Sequence, residues 1–191
     1  MMCNEQNQVI NLMKRTGLKT HIALGSYLAS LLIELGKIQY GLKVFDSLAH
    51  QNELSWNTLI HGYIKCDMPH HALTLFHDLY RDDSLHLLNE HSFVDLLRTC
   101  AKMKDLKGGL SIHIRVASMG FLIGSSLVDM YGKCYSLSKA EQVFIKIPFH
   151  DAVTWTALIE AYVQNDSNEE ALTCFEKMRI EGIFPNVITY G

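Results

Sequence analysis

The sequence predicts an all-α fold, a right-handed or similar α-solenoid of antiparallel helix pairs, from three observations. The first is repetition at a fixed offset of ninety-nine residues. Trp56-Asn-Thr-Leu-Ile60 returns as Trp155-Thr-Ala-Leu-Ile159, and Gly25-Ser26-x-Leu28 as Gly124-Ser125-x-Leu127. Val44-Phe45 returns as Val143-Phe144, and Ala72-Leu73-Thr74 with Phe76 as Ala171-Leu172-Thr173 with Phe175. One offset shared by four separated blocks marks an array of stacked units. The second observation is that only 3 prolines occur in 191 residues, which suits a helical chain because proline breaks helix interiors. The third is apolar spacing of helical period, interrupted by short polar turns.

The elements follow in order. Leu24 to Leu35 and Tyr40 to Leu48 form a first pair of helices. Leu54, Trp56, Leu59, Ile60, Tyr63 and Ile64 give the stripe of a third helix, which ends at Asp67-Met-Pro69. Pro69 suits the first turn of the next helix, where its missing N–H is no loss. Ala72, Leu73, Leu75, Phe76 and Leu79 carry that helix to the polar Arg81–Ser84 stretch. Phe93, Leu96, Leu97 and Cys100 open a further pair, continued past Gly108-Gly109 by Leu110, Ile112, Ile114 and Val116. Leu127, Val128, Met130 and Tyr131 pair with Ala140, Val143, Phe144 and Ile147. Val153, Trp155, Leu158, Ile159 and Tyr162 pair with Ala171, Leu172, Phe175 and Met178, up to Pro185. The expected division is a partial repeat at 1–21, complete repeats at 22–52, 53–89, 90–120, 121–151 and 152–186, and a new start at 187–191. A lone helix pair cannot bury its apolar face, whereas stacked neighbours bury it together.

Composition excludes several classes. The net charge of −3 gives no bulk attraction to nucleic acid or anionic membranes, although a groove can be locally basic. Ile22–Ile33, the best apolar run, is too short to span a bilayer. The 5 cysteines form no C-x-x-C pair, and their odd number and wide spacing argue for a reducing compartment. Cys66 and Cys134 share one register and read as small buried thiols. Met1-Met-Cys-Asn-Glu-Gln resembles neither a signal nor a transit peptide, and both ends are expected to continue in a longer array. His70, His71 and His77 lack metal-protease spacing, and no H-E-x-x-H, Walker, G-x-G-x-x-G or G-x-S-x-G motif occurs. No cofactor, metal or enzymatic activity is expected. Trp56 and Trp155 lie on the apolar stripe and are expected to pack in the core.

Trp56-Asn-Thr-Leu-Ile-x-Gly-Tyr63 with Ala72-Leu-Thr-Leu-Phe76 resembles a pentatricopeptide repeat. So does Trp155-Thr-Ala-Leu-Ile-x-Ala-Tyr162 with Glu170-Ala-Leu172, Phe175-Glu-Lys-Met178 and Gly182-Ile-Phe-Pro-Asn186. Gly124–Cys134 with Ala140-x-x-Val-Phe144 resembles the short variant of that repeat. Phe93-x-x-Leu-Leu-x-x-Cys100-Ala with Ile112-His-x-x-Val116 resembles the long one. Read this way, 22–52 and 121–151 are short repeats, 53–89 and 152–186 standard ones and 90–120 a long one, the order of the plant PLS subclass. There are departures. The 90–120 repeat is about four residues short before Phe121, which should distort the start of the next helix. The 53–89 repeat is two residues over length in its Arg81–Leu88 tail, and Tyr135 replaces a glycine.

The resemblance implies binding of single-stranded RNA, one base per repeat, read by the fifth and last residues. The pairs are Ser26 with Asn52 (adenine-type), Asn57 with Asn89 (pyrimidine-type), Ser125 with Asp151 (guanine-type) and Thr156 with Asn186 (adenine-type). Val94, without a hydrogen-bonding group, makes 90–120 a spacer, and the implied site is 5′-A-Y-N-G-A-3′. By the same resemblance the second residues Leu54, Leu122 and Val153 pack on bases, and Lys65, Lys102 and Lys133, thirteenth in their repeats, meet phosphate. Glu34 and Gln164 interrupt that basic register. The family further implies an organellar transcript in mitochondrion or chloroplast, RNA editing or processing, and editing or processing factors acting in trans. No membrane and no small-molecule substrate are expected. Arrays of this subclass can end in a zinc deaminase, whose H-x-E and P-C-x-x-C signature is not in this sequence. The competing class is a protein-binding scaffold of tetratricopeptide type. The alternating repeat length, the fifth-position Ser, Asn or Thr, and the closing Asn or Asp favour RNA.

Overall fold

A computed structural model describes residues 11, 15, 17, 21–48, 50–120 and 123–185. Leu122, Asn186, most of 1–21 and all of 187–191 lie outside the described residues. Among the described residues the structure is all-α, with ten α-helices and no strand. They are α1 (Ile22–Glu34), α2 (Ile38–Ser47), α3 (Glu53–Lys65), α4 (Pro69–Arg81), α5 (Glu90–Met103), α6 (Leu106–Met119), α7 (Gly124–Lys133), α8 (Leu137–Lys146), α9 (Ala152–Gln164) and α10 (Asn168–Ile180), with a 3-10 turn at Leu85–Leu87.

The chain forms two compact bodies, residues 1–92 and 93–191. In the first, α1 packs on α2 and on α3, and α3 packs on α4 and the 3-10 turn. Its core holds Ile33, Val44, Phe45, Ile60, Phe76, Leu85 and Leu88, all buried. In the second, α7 packs on α8 and on α9, and α9 packs on α10. Its core includes Met130, Tyr131, Phe144, Trp155, Leu158 and Met178. Full burial of such a side chain contributes roughly 1.5–3 kcal/mol. In each body, hairpins therefore stack through their first helices, the helical-repeat solenoid arrangement expected from the sequence.

Three local devices recur. The first closes helices. At the ends of α1, α3, α7 and α9 a left-handed residue follows the last turn: Gly36, Asp67, Tyr135 and Asp166, with φ between 55° and 73°. The next amide then reaches five residues back, as in Lys37 N to Leu32 O at 2.8 Å and Ser136 N to Tyr131 O at 2.9 Å. Tyr135 thus occupies a glycine-type conformation at φ 57°. Its hydroxyl accepts from Lys104 Nζ at 2.6 Å.

The second device joins neighbouring pairs. Cys66 Sγ donates to Ile33 O at 2.9 Å, Cys134 Sγ to Cys100 O at 3.8 Å, and Asn165 Nδ2 to Gly132 O at 3.0 Å. All three donors follow the last residue of a repeat's first helix. The thiols are structural, and burial pushes Cys100 and Cys174 up to about 12.

The third is a small-residue contact. A Cβ on Gly132 would lie 2.8 Å from the Ala161 backbone. In the first body the equivalent contact sets Gly62 against Ile33, and a Cβ there would meet Ile33 Cγ2 at 3.0 Å.

Both tryptophans meet a phenylalanine edge to face. Phe45 and Trp56 have centroids 4.8 Å apart at 71°, and Phe144 and Trp155 4.9 Å apart at 68°. Helix α7 begins at Gly124, the fourth residue of its expected repeat, while α1, α3 and α9 begin at the first. The left-handed Gly120 lies at the shortened junction.

Candidate nucleic-acid interface

Each described residue singled out for RNA lies on or beside the first helix of a pair. The closing residues Asn52, Asn89 and Asp151 cap the helix that follows them. Asn52 Oδ1 accepts from Ser55 N at 3.1 Å while Ser55 Oγ accepts from Asn52 N at 2.8 Å, a reciprocal capping box. Asn89 Oδ1 accepts from Ser92 N at 3.0 Å. One oxygen of Asp151 accepts from Thr154 N at 2.8 Å and Thr154 Oγ1 at 2.7 Å. These two bonds, the hydroxyl's first, hold the Asp151 carboxyl below its ordinary range. Asn52 and Asp151 remain exposed and Asn89 is half-buried.

The fifth-position residues are less open. Ser26 in α1 and Thr156 in α9 are buried, and Ser125 in α7 is half-buried. Asn57 in α3 is also buried, and its carboxamide is saturated. Nδ2 donates to Glu53 O at 2.5 Å and to Leu87 O at 2.9 Å. Oδ1 accepts from Asn89 N at 3.0 Å and from Ser92 Oγ at 2.5 Å. The second-position residues Leu54 and Val153 are 50% and 57% exposed, large apolar groups left out of the core at the start of their helices. The spacer residue Val94 is half-buried.

In the second body, Ser125, Val153 and Thr156 converge on one groove of about 210 Å³. Two adjacent repeats thereby line one opening with their fifth residues, and an apolar side chain stands at the same opening. The lysines are less available than their spacing suggests. Lys65 Nζ pairs with Glu34 at 3.2 Å, and Lys133 Nζ with Asp129 at 2.6 Å. Lys102 lies in the last turn of α5, exposed.

Comparison with known proteins decides the family. A PPR repeat model matches residues 54–83, and a PPR repeat family model matches residues 150–191. The chain carries pentatricopeptide repeats. A mitochondrial pentatricopeptide repeat-containing protein of Arabidopsis thaliana is 34% identical over 173 residues, which cover 88% of this chain and 17% of the relative. A putative mitochondrial one from the same plant is 34% identical over 182 residues, covering 91% of this chain and 29% of the relative. The crystal structure of the pentatricopeptide repeat protein PPR10 from maize aligns with 98% of this chain and 33% of its own, at 18% identity and a TM-score of 0.48. The chain thus spans a small part of the length of the relatives it matches.

The groove of this pentatricopeptide repeat chain also holds residues that sequence reasoning passed over. Arg98, Asp129 and Glu160 line it. Arg98 projects from α5, its guanidinium 3.7 Å from Asp95. Burial, then the Asp129 charge, raises the Glu160 carboxyl, against a smaller opposing effect of Lys133. Position in the helix would have found Arg98, as an exposed cation one turn beyond Val94. The carboxylates required knowing which helices touch. Among the described residues, no group of three or more His, Cys, Asp or Glu could hold a metal ion, and no helix is long and apolar enough to cross a membrane. Instead, His71 stacks on Tyr63, their centroids 5.4 Å apart.

Proposed function

We propose that this chain is a recognition segment for single-stranded RNA, reading bases through the repeat register. The observation that carries the reading is the groove shared by Ser125, Val153 and Thr156. Unpaired bases expose both an edge and a face. A rotatable hydroxyl can donate to or accept from an edge. An exposed valine or leucine at a helix start offers the face an apolar seat without disturbing the core. Asn52 and Asp151, exposed and fixed by their capping bonds, stand as second readers at the repeat junctions. The proposed site is 5′-A-Y-N-G-A-3′, with Val94 at the indifferent third base.

Phosphate contact in this reading is an exchange. Lys133 and Lys65 leave Asp129 and Glu34 for the backbone, so binding gains little from charge and depends modestly on salt. We assign the chain recognition without chemistry, within a longer array serving editing or processing of an organellar transcript alongside factors in trans. Mitochondrion is the favoured compartment, since relatives carry that designation. Fluorescence anisotropy with labelled A-Y-N-G-A RNA and scrambled oligomers tests the reading. Preference for the site, weakened by Ser125→Ala and Thr156→Ala, is the expected result. Equal binding to all sequences would sink it, and retention of a peptide ligand in the same groove would favour the scaffold class.

A further inference from the structure

We infer that the 53–89 repeat is a closed position, in which Asn57 latches the chain and reads no base. The inference rests on the RNA reading above and changes the second letter of its site from pyrimidine to any base. A carboxamide offers two N–H donors and one oxygen with two lone pairs. All four are filled here, by Glu53 O, Leu87 O, Asn89 N and Ser92 Oγ. No hydrogen-bonding capacity remains to match a base edge without breaking one of these bonds.

The partners are not poised to let go. Leu87 lies in the 3-10 turn, between Leu85 and Leu88, which are buried to 0% and 2% exposure. That turn falls in the tail that is two residues longer than the repeat pattern. The insertion therefore brings a carbonyl to the carboxamide, and the buried leucines hold it there. Ser92, 4% exposed, donates its hydroxyl to the Asn57 oxygen while its amide donates to Asn89. Freeing Asn57 would take a partner at once from a half-buried backbone carbonyl, a half-buried backbone amide and a buried hydroxyl. A base edge replaces at most two of those bonds. By contrast, Ser125 and Thr156 at the same register line the open groove with Val153.

The test varies the second base of the RNA site through all four nucleotides, with the whole chain. A read position discriminates on the order of tenfold or more, and we expect about twofold or less at this one. The adenine and guanine positions should keep their preferences. Asn57→Ala should leave the base profile unchanged while lowering the denaturation midpoint. Ser92→Ala, a milder change, should do the same to a smaller degree. A tenfold pyrimidine preference that Asn57→Ala abolishes would overturn the latch. A double-mutant cycle between Asn57→Ala and Ser92→Ala in chemical denaturation supplies a readout free of RNA. Strong non-additivity is expected, and additive losses would also overturn the latch. Absence of base preference at every position would fell the RNA reading instead, leaving the cycle to decide the latch alone.

Discussion

The helix pairs α3/α4 and α9/α10 lie ninety-nine residues apart and share their framework while differing in their polar register. Each sets a tryptophan edge to face on a phenylalanine of the preceding pair, with nearly the same distance and tilt. Each starts at an Asn or Asp cap whose partner lies three residues on. Each ends its first helix with a side chain donating to a carbonyl of the pair before it. The fifth residues diverge: Asn57 makes four bonds, to its own helix, its repeat's tail and cap, and the next helix, and Thr156 lines a groove. Packing positions therefore transfer from repeat to repeat, since a neighbouring hairpin always fills the same space. The fifth position does not transfer, because Asn57 draws a partner from a tail of variable length.

Truncating the tryptophans puts the shared framework to its strongest test. Trp155 is 4% exposed, so Trp155→Ala should lose about 3–5 kcal/mol in equilibrium denaturation. Trp56 is only half-buried, and Trp56→Ala should lose distinctly less. Equal losses would show that the aromatic contact, rather than burial, sets the energy.

The small-residue contacts come next. They use opposite solutions, Gly62 under Ile33 and Gly132 under Ala161. In Gly132→Ala the new methyl meets Ala161 backbone, which cannot turn aside, and should cost roughly 1–3 kcal/mol. Adding Ala161→Gly should return part of that loss. Gly62→Ala meets the end of a side chain and should cost less. A thermal shift series across the three variants checks the ranking, which fails if Gly62→Ala is the most damaging.

The smallest effect separates the two caps. Asp151→Ala should cost about 1 kcal/mol, as should Asn52→Ala. Only Asp151 titrates. Its carboxyl is held below its ordinary value by Thr154, so its contribution is present above the unfolded value of about 3.9 and is lost as pH falls through the folded one. Denaturation of Asp151→Asn against the parent chain, followed into acid, should show the variant losing less. Parallel acid profiles would remove the charge from the account of this cap.

Much of this was legible in the residues. The stripe from Leu54 to Ile64 marks α3 to within a residue at either end, and Pro69 marks the first turn of α4. The shared place of Cys66 and Cys134 points to buried thiols, which holds for Cys134 while Cys66 is half-buried, and it does not point to the carbonyls they bind. The caps were overlooked despite a local signal. Asn52-x-x-Ser55, Asn89-x-x-Ser92 and Asp151-x-x-Thr154 each place a polar acceptor three residues before a hydroxyl. The pairing of Lys133 with Asp129 was readable at one-turn spacing. Two features were not legible. Lys65 meets Glu34 only after adjacent repeats stack, and the bonds of Asn57 join positions thirty or more residues apart. No periodicity carries that information, because it depends on how a loop of a given length comes to rest.

The donors at Cys66, Cys134 and Asn165 give the array a direction. Each finishes the last turn of the helix before it, so a hairpin is completed by its successor and not by its predecessor. Each of these carbonyls also accepts a backbone amide of its own repeat, from Gly36, Asp105 and Tyr135, so removing a following repeat takes away the second donor that braces that last turn. Removing a preceding repeat only releases a side chain, which can swing to water. Loss of order should therefore spread backward along the chain from a missing successor more readily than forward from a missing predecessor.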